Sequence, residues 1–386
     1  MSNQCFDVAV VGLGAMGSAA AYQLSLLGKS VIGFEQFAPL HTFGSFHGDT
    51  RITRQALGEG EYYVPLVLRS NQIWRQIEER TGKELFTECG ALITAFGERA
   101  TREVDFFQTT LSAAVKHNIS HELLDSSQLR RRFPQFLYRD DEVGYYESGG
   151  GFLRPERCIA VQQSLAAEAG ATLMFETPVI DVQQLRTGGA RICTKTGVFE
   201  VSQVILSTGS WIHRFVPDNL GKLFSIHRQV LYWFEPQNGV VGYSAKQCPV
   251  YIRIGSTQAE EIYGFPSIDG TGGGLKMATE NFSASDSVEK INREVSEEEK
   301  EQAYGVLSRY LPLSPNCIKA VSCVYPTTPD HDFVIDFLPD FQECLILSPC
   351  SGHGFKHSAA VGEIAAQLLV DGRSEMDLSP FKLGRF

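Results

Sequence analysis

An apolar run, Val8-Ala9-Val10-Val11, leads straight into Gly12-Leu13-Gly14-Ala15-Met16-Gly17, and that junction constrains the fold more than any other stretch of the chain. The spacing Gly-x-Gly-x-x-Gly between a buried strand and a helix is the opening of a βαβ unit whose turn receives a pyrophosphate. Gly12 permits the tight turn, Gly14 lets backbone N–H groups approach phosphate, and Gly17 lets the helix close on the strand. Residues 15–27 read as that helix, ended by Gly28. Val31-Ile32-Gly33-Phe34 reads as the next strand, and Glu35 at its tip, 18 positions after Gly17, is placed to accept from ribose hydroxyls.

A nicotinamide protein needs only this first cluster. The chain carries a second glycine turn more than 300 residues later, Ser351-Gly352-His353-Gly354-Phe355-Lys356, between an apolar strand over 344–348 and a helix over 359–369. A third apolar strand, Val204-Ile205-Leu206, ends in Ser207-Thr208-Gly209. Three backbone approaches spread along the chain imply one long, bent cofactor, and a flavin dinucleotide fits better than a nicotinamide. The segments between have another texture. Residues 226–320 hold aromatic and β-branched runs (Val230–Phe234, Tyr251–Ile254, Ile262–Phe265) that read as an antiparallel sheet roofing a substrate. Residues 85–149 hold an amphipathic helix over 103–116, and 294–309 reads as a charged surface helix. The expected fold is α/β: a Rossmann-like FAD-binding domain from 1–84, 150–225 and 321–386, and a second, α+β substrate domain from 85–149 and 226–320.

Composition limits the partners. With 34 basic and 45 acidic side chains the net charge is −11, which disfavours nucleic acid and anionic membranes but leaves room for a small anionic substrate bound by local cations. The first strand starts by residue 6, no apolar run reaches membrane-spanning length, and a cytoplasmic location is expected. The nine cysteines stand singly, without any C-x-x-C, so neither a redox pair nor a metal-ligand set is expected. His47-Gly48-Asp49-Thr50-Arg51-Ile52-Thr53-Arg54 is a polar cluster in which two arginines three apart would share one helical face and grip an anion.

These blocks resemble the family of monomeric sarcosine oxidase and N-methyl-tryptophan oxidase. The likeness runs from residue 6 to the end, through Gly44-Ser45, His47–Arg51, Gly58-Glu59-Gly60-Glu61, Tyr63–Leu66, Tyr263–Pro266, Gly274-Leu275-Lys276, Cys323-Val324-Tyr325 and Ser351–Lys356. The ending Asp377–Phe381 is most similar to the N-methyl-tryptophan branch. The resemblance implies an FAD-dependent amine oxidase that acts on the CH–NH bond of a secondary amino acid. Its imine product hydrolyses, and O2 becomes hydrogen peroxide. The alternative is a dehydrogenase of the same fold using another electron acceptor. Cys323 matches the cysteine joined to the flavin 8α-methyl group (8α-S-cysteinyl FAD), with Cys350 as the competing thiol. Lys276 matches the lysine that promotes reaction with oxygen, a fixed cation stabilising charge as O2 is reduced. Arg54 and Lys356 match the pair that holds the substrate carboxylate. Arg51 matches a basic residue at the flavin face; Ser45, Thr50 and Phe355 fall in matched cofactor segments; Tyr263, Tyr325 and His353 surround the substrate. A monomer is implied as well.

The departures concern substrate. Glu280 stands where the family carries a histidine near the substrate amine. Phe46 replaces a histidine, Pro349 and Cys350 precede the second glycine turn, and 267–273 is about two residues longer. A carboxylate at 280 is expected to favour substrates with an additional donor or positive charge over sarcosine.

Overall fold

The strand Phe6–Val11 is buried at every position except Asp7, the signature of a strand covered on both faces of a parallel sheet. The computed structural model describes residues 6–100, 105–280, 282–285 and 287–386. In it this strand lies between Val31–Phe34 and Val198–Leu206, parallel to both. Thr172–Met174 extends the sheet beyond Val31–Phe34, and Phe341–Ser348 pairs in parallel with the end of Val198–Leu206. Antiparallel additions complete eight strands: Val334–Leu338 on Phe341–Ser348, and the hairpin Val179–Gln184 with Ala190–Thr194 on the first half of Val198–Leu206. The Rossmann-like reading of the sequence holds.

Helix Ala15–Leu26 packs on this sheet, and the C-terminal helix Ser358–Asp371 packs on Ala15–Leu26. Small side chains set that distance: a Cβ on Gly362 would lie 2.5 Å from the Cβ of Ala19. Gly17 is tighter still, because an added Cβ would sit 1.8 Å from the carbonyl oxygen of Gly12 and 2.5 Å from Ser207 Oγ. Backbone cannot yield as a flexible side chain does, so Gly17→Ala is expected to destabilise by about 3 kcal/mol. Protein purified from that variant should show a lowered Tm and a lowered ratio of flavin to protein absorbance; an unchanged Tm would count against this packing.

The second sheet has nine strands, in the order Ser283–Ser285, Ser225–Pro236, Leu275–Thr279, Ile262–Gly264, Val250–Arg253, Ala91–Phe96, Glu142–Glu147 and Glu122–Leu124, with Leu313–Thr327 also paired to Ser225–Pro236. It is antiparallel except where Val250–Arg253 meets Ala91–Phe96 in parallel. One face carries Val230, Tyr232, Phe234, Leu275 and Met277, packed on Leu307 of helix Glu297–Leu307. The alternate residues face the other way, towards the first sheet. Leu313–Thr327 is a single strand, so it crosses the division between 320 and 321 expected from sequence.

Three local expectations change. The helix expected over 103–116 is Phe106–Lys116, capped by the Asp105 carboxylate; residues 103 and 104 lie outside the described residues. The charged helix expected over 294–309 is the shorter Glu297–Leu307, started by a reciprocal Ser296–Glu299 capping box. Arg51–Thr53 is a strand, antiparallel to Gly151–Leu153, not part of a helix. Side chains three apart on a strand point to opposite faces, so Arg51 and Arg54 do not grip one anion together. Among the described residues no helix is long and apolar enough to cross a membrane.

Candidate active site

A cavity of about 500 Å³ is walled on one side by the carboxyl ends of the parallel strands, through Val11, Phe34, Ser207 and Ser348, where open α/β sheets bind their ligands. The nine-stranded sheet supplies the other wall. Because side chains alternate along a strand, Gln229 and Leu231 share a face with Cys323 and Tyr325 on the neighbouring strand, and Lys276 shares it with Glu280. All six line the cavity.

The residues expected to hold a dinucleotide lie as follows. Gly12 has φ +93°, and Gly14 precedes a helix whose first turn has no capping side chain, leaving N–H donors for a phosphate. Glu35 is buried at the strand tip, where Oε2 accepts from Leu13 N at 3.0 Å and Oε1 from Phe37 N at 3.1 Å. A carboxylate so held keeps lone pairs for further donors. Gly12, Gly14, Glu35, Thr208, Gly209, Gly352, Gly354 and Phe355 all border the same space. Among the described residues Thr208 Oγ1 and Ser210 Oγ are buried without a hydrogen-bond partner, and a polar ligand in the cavity would satisfy them. The residues present fit a dinucleotide. Gly17 lies beneath the turn, and Thr50 behind Lys276; neither borders the cavity.

Arg51 is immobilised by carbonyl oxygens: Nη1 donates to Thr50 O at 2.8 Å, and Nη2 to Ser45 O and His47 O, each at 2.7 Å. Ser45 Oγ donates to Val324 O at 2.6 Å, tying this loop to the strand of Cys323. Cys323 Sγ lies 3.4 Å from His47 Nε2 and 3.8 Å from Arg51 Nη2. Burial pushes its thiol up, while the charges of Arg51 and Lys276 pull it back. The Lys276 ammonium donates to Thr50 O at 2.5 Å and Thr50 Oγ1 at 3.2 Å, and lies 4.3 Å from the Phe265 ring centroid. Burial, then the Arg51 charge, pulls its pKa well below the usual lysine range.

Arg54 and Lys356 come together, 302 positions apart in sequence, through a residue that sequence reasoning did not assign. Glu59 accepts from Arg54 Nη2 at 2.6 Å and from Lys356 Nζ at 3.1 Å. These two cations hold its carboxyl well below the usual range against burial, while burial brings Lys356 down to about 8. The cluster carries a net charge of +1. Among the described residues Arg54 Nε and His353 Nδ1 are buried beside it without a hydrogen bond, His353 Nδ1 lying 4.0 Å from Glu59 Oε1. Burial lowers His353 to about 4, and its Nε2 lies 3.3 Å from the His331 carbonyl oxygen. Glu59 belongs to the quoted Gly-Glu-Gly-Glu block, but nothing in that block reveals which distant cations meet it. His47 was likewise visible as part of a polar cluster without its partner, Cys323.

Tyr263, Tyr325 and Glu280 border the cavity. Tyr325 stacks on His227 with ring centroids 5.9 Å apart and meets Phe282 edge-on at 6.3 Å. The backbone N–H of Glu280 bonds Glu261 O at 3.0 Å. Burial, then Glu261 and Glu59, raises the Glu280 carboxyl to about 7.

The family described as FAD dependent oxidoreductase matches residues 7–368. The monomeric sarcosine oxidase of Streptomyces avermitilis is 38% identical over 97% of this chain and 96% of its own length. The N-methyl-L-tryptophan oxidase of Yersinia pestis is 32% identical over 99% of each chain. Among solved structures, the open form of NikD, an unusual amino acid oxidase essential for nikkomycin biosynthesis, superposes with a TM-score of 0.83 at 22% identity, covering 98% of this chain and 97% of NikD. Glycine oxidase from Geobacillus kaustophilus gives 0.79 at 19% identity, covering 99% of each. Both show the same fold.

Proposed function

Because the chain belongs to the FAD dependent oxidoreductase family, we propose that it oxidises a secondary amino acid, of the N-methyl class, with molecular oxygen. The amine becomes an imine that water hydrolyses, and O2 becomes hydrogen peroxide. The observation that carries this reading is the convergence on one cavity of the glycine turns, Lys276, Cys323 and the cationic Arg54–Glu59–Lys356 cluster.

Bound FAD would supply the two-electron chemistry, taking a hydride equivalent from the substrate and passing electrons to oxygen. The remaining work falls to the chain. The Gly12–Gly17 turn and the following helix N-terminus hold the pyrophosphate, Glu35 the ribose, and Cys323 the covalent link. Arg54 and Lys356, with one positive charge left over after Glu59, take the substrate carboxylate. Tyr263, Tyr325 and His353 line the substrate space and fix its shape. Lys276 holds a positive charge where oxygen is reduced. The reading includes an FAD-binding domain and a substrate domain, with the last FAD segment beginning after Thr327 rather than at 321, since Leu313–Thr327 is one strand. It also includes a cytoplasmic monomer.

A panel of amines mixed anaerobically with the holoenzyme tests it by bleaching of the flavin absorbance. N-Methyl and cyclic secondary amino acids should bleach, and amines lacking a carboxylate should bleach poorly. Arg54→Met should cost about 1.5–3 kcal/mol in kcat/KM for carboxylate substrates and little for the others. Bleaching by none of the amino acids would overturn the reading.

A further inference from the structure

Among the described residues, Glu280 in the substrate space is a carboxylate without a counter-ion. Glu280 follows Lys276 by four residues on the same face of the sheet and borders the cavity. Among the described residues its side chain makes no hydrogen bond or ion pair. The charges that act on it are acidic, Glu261 and Glu59. Each of these already has its cation: Arg99 lies 2.9 Å from Glu261, and Arg54 and Lys356 hold Glu59. The other ionisable groups beside it are the phenols of Tyr263 and Tyr325, which burial, then the Glu280 charge itself, pushes up and keeps neutral. Glu280 is half-buried at the cavity wall, and a carboxylate short of water is stabilised as the neutral acid or by a cation beside it. Among the described residues no cation pairs with it, and a cation carried by a ligand in the cavity would.

Resting on the reading of an amino-acid oxidase, we propose that Glu280 is the counter-ion of the substrate ammonium, so that the pocket takes a methylated amino acid as its zwitterion. The charges then balance: the +1 cluster of Arg54, Glu59 and Lys356 meets the ligand carboxylate, and Glu280 meets the ligand cation. Tyr263, Tyr325 and Phe282 give the methyl groups aromatic faces, the surface that recognises methylated ammonium ions. A histidine at this position would supply no fixed negative charge. Glu280 therefore sets the protonation state in which the amine is bound, and it titrates where that matters: the carboxyl, raised to about 7, is neutral below that pH and charged above it.

The test uses two ligands of one shape that cannot be oxidised at nitrogen. Glycine betaine carries a permanent trimethylammonium, and 3,3-dimethylbutanoate has carbon in its place. Their affinities for the holoenzyme are measured by calorimetry and by flavin absorbance changes. Above the Glu280 titration, betaine should bind tighter than its uncharged isostere on the order of tenfold. That ratio should fall as the pH drops through about 7, and in Glu280→Gln it should approach one at every pH while 3,3-dimethylbutanoate binds as before. The wild-type pH series needs no variant, so a misfolded Glu280→Gln protein does not rescue the idea. Equal affinities in the wild type at high pH, a ratio unmoved by pH and by Glu280→Gln, or no binding of either ligand overturns it. If N-methyl amino acids still bleach the flavin, only the assignment of Glu280 falls. If they do not, the oxidase reading falls and takes this assignment with it.

Discussion

Lys276→Met is expected to slow re-oxidation of the flavin by oxygen roughly a thousandfold, about 4 kcal/mol, while leaving anaerobic reduction by substrate nearly intact. The asymmetry follows from where charge develops. Substrate oxidation creates no negative charge that requires this ammonium, whereas reduction of oxygen does, in a cavity where a fixed cation acts with little screening. Burial and Arg51 both work against the charge on Lys276. Thr50, through two acceptors, and the face of Phe265 stabilise it. The sign of the pH dependence follows. A lysine with a lowered pKa loses its proton as pH rises, so the oxidative rate constant should fall with increasing pH in the wild type and stay flat in the Met variant. Stopped-flow mixing of reduced enzyme with air-saturated buffer measures it. A Met variant that re-oxidises at the wild-type rate would remove Lys276 from the oxygen reaction. A wild-type enzyme that barely re-oxidises would favour a dehydrogenase using another acceptor.

Cys323→Ser should convert the flavin from wholly covalent to wholly extractable. Acid-precipitated wild-type protein should stay yellow, with the flavin peptide containing Cys323; the Ser variant should release its flavin into the supernatant. The choice between two thiols is chemical. Cys323 lies beside Arg51 and a ring nitrogen of His47, and both Arg51 and Lys276 favour its thiolate, the form that attacks. Burial lifts Cys350 to about 11 against the Gly352 backbone, the Ser45 hydroxyl at 3.9 Å and the Arg51 charge, and no lysine charge acts on it as Lys276 does on Cys323. Free flavin in the wild-type supernatant would sink the attachment, and an adduct on Cys350 would reassign it.

Much of the site was legible because it depends on local rules. Gly12 and Gly17 announce themselves by spacing, since only glycine tolerates a turn at φ +93° or a carbonyl oxygen 1.8 Å from where a Cβ would be. Cys323, Tyr325 and Lys276 were legible through their match to family blocks and Glu280 through its departure from one, whereas their sharing of one sheet face comes from the strand pairing. The arginine pair misled for a matching reason. A spacing of three has meaning only once the local conformation is known, and Arg51–Thr53 becomes a strand through pairing with Gly151–Leu153, about a hundred residues away.

The sequence by itself determined the backbone periods, the glycine positions and thereby the α/β class with its dinucleotide turn. These are short-range consequences of sterics and hydrogen bonding, and each residue carries its own part of the signal. Tertiary structure alone decided which polar side chains meet. Lys356 finds Glu59 across 297 positions and Cys323 finds His47 across 276, and no spacing rule encodes such encounters. An ion pair is set by distance in space and by the burial that removes competing water. The fold leaves Glu280 half-buried at the cavity, with no cation paired to it among the described residues. Its identity could be read from the sequence, but its need for a partner arises only in the fold.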